Sequence, residues 1–226
     1  MSITKNQTQI KSELPAHVTL VAVSKTKPVA DLMEAYNAGQ RIFGENKIQE
    51  MTEKWEQMPK DIEWHMIGHV QTNKVKFMAE YVSLIHGVDS LKLLQEINKQ
   101  AKKHNRIIDC LLQIHIAEEE TKFGLDEEEL NHILTSEDYN SLENIRIVGL
   151  MGMATFTENQ NQIEKEFNHL KSIFDNYKKL NTKHCQLNTL SMGMSGDYQL
   201  AISCGSTMAR IGSSIFGTRN QKNEKI

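Results

Sequence analysis

The feature that most constrains this chain is an alternation. Eight short apolar runs recur along it, spaced by segments with helical periodicity. Runs of this kind, too short for buried helices and without a polar alternate position, read as strands buried on both faces. The pattern predicts strands over 18–25, 41–45, 63–68, 81–88, 107–116, 145–153, 187–194 and 209–216. Helices are expected over 29–38, 47–57, 72–79, 90–104, 125–134, 160–180 and 197–204, and a short leading helix over 4–13. Alternating strands and helices build a parallel sheet. Eight such units in a chain of 226 residues match the α/β class and a (β/α)8 TIM barrel at the short end of its size range. A doubly wound open sheet is the second choice, because sheets of that kind in a chain this long usually have fewer strands. The expectation is one barrel domain over 1–226, with a short helical extension at 1–16 and a frayed tail at 220–226.

In a barrel, the C-terminal ends of all eight strands face one pocket. The first run, Leu20 to Val23, leads directly into Ser24 and Lys25, and Pro28 then suits the first turn of a helix. Lys25 therefore stands at the pocket end of an interior strand. A desolvated lysine with a lowered pKa is a nucleophile toward carbonyl compounds and forms a Schiff base. The alternative is a strand-end lysine that reaches solvent. The second strand contributes Gly44, Glu45 and Asn46 to the same end, the third His65, Gly68 and His69, the fifth His115, and the sixth Met151 and Met153. The seventh brings Ser191 to Gly196, including Met194 and Ser195. The eighth brings Arg210, Gly212 and Ser213. His65 and His69 come from the third strand and His115 from the fifth, without the spacing of a zinc or iron motif, and all three read as structural. The methionines read as core filling, with one or two against the flat face of a ligand.

The last two loops are the most informative. Barrels often hold phosphate after strands seven and eight, at a short helix N-terminus. Here both loops are small and hydroxyl-rich: Ser195-Gly196 precedes a helix, and Gly212-Ser213 lets backbone approach closely. Either loop alone would be ordinary helix capping; the two together favour a phosphate site. A lysine nucleophile beside a phosphate cradle suits pyridoxal 5′-phosphate (PLP), which carries both an aldehyde and a phosphate. Arg210 lies just ahead of the Gly212-Ser213 turn. A guanidinium stays cationic and cannot accept a proton. At the ring nitrogen it would leave that nitrogen unprotonated and weaken the ring as an electron sink.

A resemblance covers the same stretches. They are Val21 to Lys27, Phe43-Gly44-Glu45-Asn46 with Gln49-Glu50, Trp64 to Lys74, Gly149 to Ala154, Leu190 to Asp197 and Gly205 to Gly217. Together they resemble the YggS/PROSC family of pyridoxal phosphate homeostasis proteins. The resemblance implies a barrel similar to the N-terminal domain of alanine racemase. It implies Lys25 as the Schiff-base lysine, Arg210 at the ring nitrogen, and phosphate held by the two loops. Asn46, Met153, Ser191, Met194, Ser195, Gly212 and Ser213 complete the expected cofactor-binding set. Two departures stand out: the leading region is shorter than the long helix usual in the family, and Phe123 makes the 121–124 loop bulkier. Lys27 is the nearest competitor of Lys25; Lys74 and Lys122 are further lysines on which a second PLP site could draw.

Composition narrows the function classes. A formal net charge of −3 gives no nucleic-acid footprint. No apolar run approaches the roughly 18 residues of a membrane span, and the polar start MSITKNQTQIKSELP has no signal-peptide core. Cys110, Cys185 and Cys204 read as reduced thiols of a cytoplasmic protein. The leading expectation is thus a cytoplasmic, monomeric PLP carrier in vitamin B6 homeostasis, without catalytic turnover, serving PLP-dependent apo-enzymes as recipients. The alternative is a PLP-dependent fold-type III enzyme such as an amino-acid racemase. A sugar-phosphate barrel enzyme with an aldolase-type lysine is a weaker third. The ten residues after the eighth predicted strand are too few for the second domain that covers a racemase site, and Arg210 disfavours carbanion chemistry.

Overall fold

A computed structural model describes residues 2–119, 123–182 and 184–218. Eight parallel strands close into a barrel. Strands β1 (Thr19–Val23), β2 (Ile42–Glu45), β3 (Glu63–Met66), β4 (Val82–Val88), β5 (Ile108–Gln113) and β6 (Ile145–Met151) pair in sequence order. Strand β7 (Asn181–Thr182) is a two-residue antiparallel addition to β8 (Cys185–Met194), and β9 (Met208–Ile211) lies between β8 and β1. Pairing of β6 with β8 closes the ring, so β8 and β9 are its seventh and eighth staves. The (β/α)8 expectation holds.

Helices wrap the outside: α1 (Ile3–Glu13), α2 (Val29–Asn37), α3 (Ile48–Gln57), α4 (Leu91–Lys103), α5 (Glu127–Thr135), α6 (Glu137–Asn140), α7 (Gln160–Tyr177), α8 (Tyr198–Ser203) and α9 (Ser213–Phe216). Their starts follow capping chemistry. The Ser90 side chain accepts from the Leu93 amide, and Asp126 forms a capping box with Glu129. The outer core is continuous: Ile163, Phe167, Leu170 and Phe174 of α7 are buried in one cluster with Leu32, Phe43, Trp64 and Leu94. The barrel interior is a second, smaller cluster formed by Val21, Leu84, Leu111, Val148, Met151 and Met208. Gly44 faces this interior. A Cβ there would meet Val21 Cγ1 at 2.9 Å and Ile67 Cδ1 at 3.2 Å.

Four elements differ from expectation; one is the four-residue helix α6, which the apolar pattern does not announce. The eighth strand stops at Ile211, and residues 213–216 are α9 rather than strand. Apolar Ile215 and Phe216 suit either assignment, but Gly212 breaks the ladder and α1 receives the new helix, with Asn6 Nδ2 donating to the Ile215 carbonyl at 3.0 Å. The segment Thr72–Phe77 is a 3-10 helix. The short β7 carries no sequence signal of its own. The frayed tail expected at 220–226 lies outside the described residues.

Candidate functional site

The end of β1 is where the site is built. Val23 is followed by buried Ser24, half-buried Lys25 and Thr26, whose φ of 64° is left-handed. That conformation is costly for a β-branched residue, and a buried ionic cluster holds it. Glu50 accepts from the Thr26 amide at 2.6 Å. Lys54 Nζ lies 2.7 Å from both Glu45 and Glu50 carboxylates and donates to the Ser24 carbonyl at 2.8 Å. Ser24 Oγ donates to Glu45 Oε1 at 2.5 Å. Both neighbours of Lys25 are thereby clamped. Burial pushes the Glu45 carboxyl up despite Lys54, and its Oε2 has no hydrogen-bond partner among the described residues.

Lys25 opens onto a cavity of about 590 Å³ at the C-terminal mouth of the barrel. Of the nine sequence-predicted binding residues, Lys25, Asn46, Met153, Met194, Ser195, Arg210, Gly212 and Ser213 form its walls. Ser191 does not. It is fully buried one layer below, where its carbonyl and hydroxyl accept from Arg210 Nη1 at 2.9 and 2.6 Å. Arg210 Nη2 donates to the Gly152 carbonyl at 3.1 Å. Burial pushes the guanidinium down to about 10, against the opposing field of Asp197, so it is cationic at neutral pH. A buried cation whose nearest acceptors are two carbonyls and a hydroxyl favours an electron-rich ligand atom.

On the other side, Ser195 Oγ accepts from the amides of Gly212 at 3.2 Å and Ser214 at 3.4 Å. The loop after β8 and the start of α9 are thus one small polar cradle. A Cβ at Gly212 would lie 3.0 Å from the Val23 carbonyl and 3.2 Å from Val23 Cβ, so the turn is packed against β1. A Cβ at Gly196 would meet nothing. Hydroxyls and backbone amides gathered in this way are the donor types that hold anions.

The chain matches the family model described as alanine racemase, N-terminal domain, over residues 1–220. The pyridoxal phosphate homeostasis protein of Haemophilus influenzae is 39% identical over 206 residues, covering 90% of this chain and 86% of that protein. The chain belongs to the pyridoxal phosphate homeostasis protein family. The namesake from Escherichia coli K12 is 36% identical over 210 residues, covering 91% and 88%. PipY of Synechococcus elongatus PCC7942, solved with PLP bound, superposes with a TM-score of 0.86 at 33% identity, covering 95% of this chain and all of that one. Alanine racemase of Clostridium difficile shares the fold at 17% identity and a TM-score of 0.77; the chain matches 57% of its length.

Within this family member the other predicted residues scatter. His69 sits on the cavity rim, 3.6 Å from Asp89 and stacked on Phe123. His115 Nε2 is 3.0 Å from the Glu119 carbonyl. His65 is not at the pocket at all: it points into the middle of the barrel. Lys27 lines the cavity, but its Nζ donates to the Phe216 and Thr218 carbonyls. Lys74 lies elsewhere, beside Phe77, and Lys122 lies outside the described residues. Sequence reasoning missed Gln113, Ile67 and Phe156 as wall residues. Gln113 ends β5, so position alone could have found it. Phe156, which is 93% exposed, carries no motif. Among the described residues no helix is long and apolar enough to cross a membrane.

Proposed function

We propose that this protein binds PLP covalently through Lys25 and serves the homeostasis of that cofactor as a carrier rather than an enzyme. One observation carries the reading: a single cavity holds a lysine set between two clamped neighbours, a buried cationic guanidinium and a hydroxyl-amide cradle. The residues fit the group. The volume lies in the usual range for cofactor sites, Ser195, Gly212 and Ser213 suit the phosphate, and Lys25 supplies the amine. Asn46, Met153 and Met194 are further wall residues on which the ring could draw. PLP when bound supplies an aldehyde carbon and an electron-withdrawing ring.

Arg210 stands for the ring nitrogen. As a donor with no acceptor it keeps that nitrogen unprotonated, which limits the ring's capacity to stabilise a carbanion. Among the described residues of the cavity wall there is no Tyr, Cys, Asp or Glu. Lys27 is tied to backbone carbonyls, and the one imidazole of that wall, His69, is turned to Asp89 and stacked on Phe123, so neither is presented as the second acid-base group a racemase uses. The exposed rim residues Phe156 and Met194 leave the mouth accessible, which suits a monomeric cytoplasmic protein that hands cofactor to apo-enzymes. The test is to load the purified protein with PLP, record its visible spectrum and offer a panel of amino acids. A stable cofactor band with no turnover is expected; turnover at an enzyme-like rate overturns the carrier reading.

A further inference from the structure

Two histidines and one serine lie inside the barrel where aliphatic side chains usually pack. His65 on β3 is 3% exposed, and His86 on β4 and Ser191 on β8 are fully buried. They form a file. His65 Nδ1 is 3.0 Å from His86 Nε2, His86 Nδ1 is 3.0 Å from Ser191 Oγ, and Arg210 Nη1 donates to that same Oγ at 2.6 Å. The other end meets a second cavity, of about 350 Å³, at the N-terminal mouth, where His65 forms part of the wall with Glu63, Asp109 and Arg146.

The chemistry of the end group fixes the direction. Arginine only donates, so Ser191 Oγ must accept from it. The single Ser191 hydrogen is then free to point at His86 Nδ1, the remaining neighbour. His86 carries its hydrogen on Nε2 and gives it to His65 Nδ1. His65 in turn carries its hydrogen on Nε2. The reverse arrangement, with His86 donating to Ser191, would leave the buried hydroxyl hydrogen without an acceptor among the described residues, which is costly. Burial pushes His65 down to about 3 and His86 well below its usual range, aided by His65 and Arg210, so both rings are neutral as the file requires.

We infer that His65, His86 and Ser191 form a one-way hydrogen-bond file that positions Arg210 from below and turns its remaining N–H groups toward the pocket. They are positioning residues, acting through the guanidinium. Three of the five guanidinium hydrogens are taken up by Ser191 and Gly152, and the file holds the head from turning to offer those instead. This deepens the proposed role of Arg210 and rests on it.

Two measurements test it, and they fail separately. In the cofactor-free protein labelled with nitrogen-15 histidine, long-range proton–nitrogen correlations report each tautomer. His65 and His86 are expected as neutral Nε2–H forms; an Nδ1–H form or an imidazolium at either position overturns the file. The second uses protein saturated with nitrogen-15 PLP. His86→Leu is expected to move the ring-nitrogen shift toward the protonated range, and His86→Gln, with an acceptor and a donor of its own, to move it back. Ser191→Ala cuts the same file if His86→Leu does not fold. A ring-nitrogen shift unchanged in the folded variants overturns the positioning role while leaving Arg210 at the ring. A ring nitrogen already protonated in the unmodified protein overturns the Arg210 reading and this role with it, whatever the tautomers.

Discussion

Lys54→Met gives the sharpest energetic test of how Lys25 is presented. The Lys54 side chain is 6% exposed and its Glu45 partner is fully buried. Removing the cation deletes two ion-pair contacts at 2.7 Å and one hydrogen bond to the Ser24 carbonyl. It leaves a buried carboxylate held by Ser24 Oγ alone. Breaking a buried pair from one side costs about 3–5 kcal/mol, a large part of a typical stability of about 5–15 kcal/mol. Arg41–Asp61 is the control. Its side chains are 43% and 54% exposed, and losing the Arg41 charge is expected to cost under about 1 kcal/mol. The variant also acquires a pH dependence of predictable sign. The folded Glu45 pKa is already raised by burial, and loss of Lys54 raises it further. Stability is then fullest below the unfolded carboxyl pKa and falls as pH rises through the folded one. Urea denaturation at several pH values measures both effects. Adding Glu45→Gln is expected to recover much of the loss, because a neutral amide needs no counter-charge. A loss below about 1 kcal/mol in Lys54→Met, or a loss that shrinks as pH rises, refutes the account of this cluster.

Two further outcomes follow from the cavity. Ser195→Ala removes the acceptor shared by the Gly212 and Ser214 amides. It is expected to weaken PLP binding by about 1.5–3 kcal/mol while barely affecting pyridoxal, which lacks the phosphate; calorimetry with both ligands checks this, and equal losses place the phosphate elsewhere. Arg210→Glu supplies a proton acceptor to the ring nitrogen, so slow half-transamination with added amino acids is expected to become easier at saturating PLP. No change in that side reaction would detach Arg210 from the ring.

The barrel was legible because its strands are continuous apolar runs, and such runs mark themselves regardless of context. Lys25, Ser195, Arg210 and Gly212 were legible because they stand at strand ends, and a barrel brings every strand end together. Direction was harder to read. His65 sits one residue before the end of β3, so proximity to the strand end suggested the pocket; its real place follows from side-chain alternation, in which it faces inward beside Leu84 and Leu111 of the interior. Leu84 inward also implies His86 inward, a parity argument the sequence already contained. Ser191 was placed at the pocket because its strand was, yet bulged register between β8 and β9 puts it beneath Arg210. The Lys54 cluster left no local signal: its members come from β1, β2 and α3, and only the closed barrel unites them.

The central claim is that Lys25 carries the cofactor. The direct measurement is borohydride reduction of the PLP-loaded protein, followed by peptide mapping by mass spectrometry. The account predicts the pyridoxyl label on Lys25 and its loss in Lys25→Ala. A label found mainly on Lys27, whose Nζ is bound to the Phe216 and Thr218 carbonyls, would contradict it.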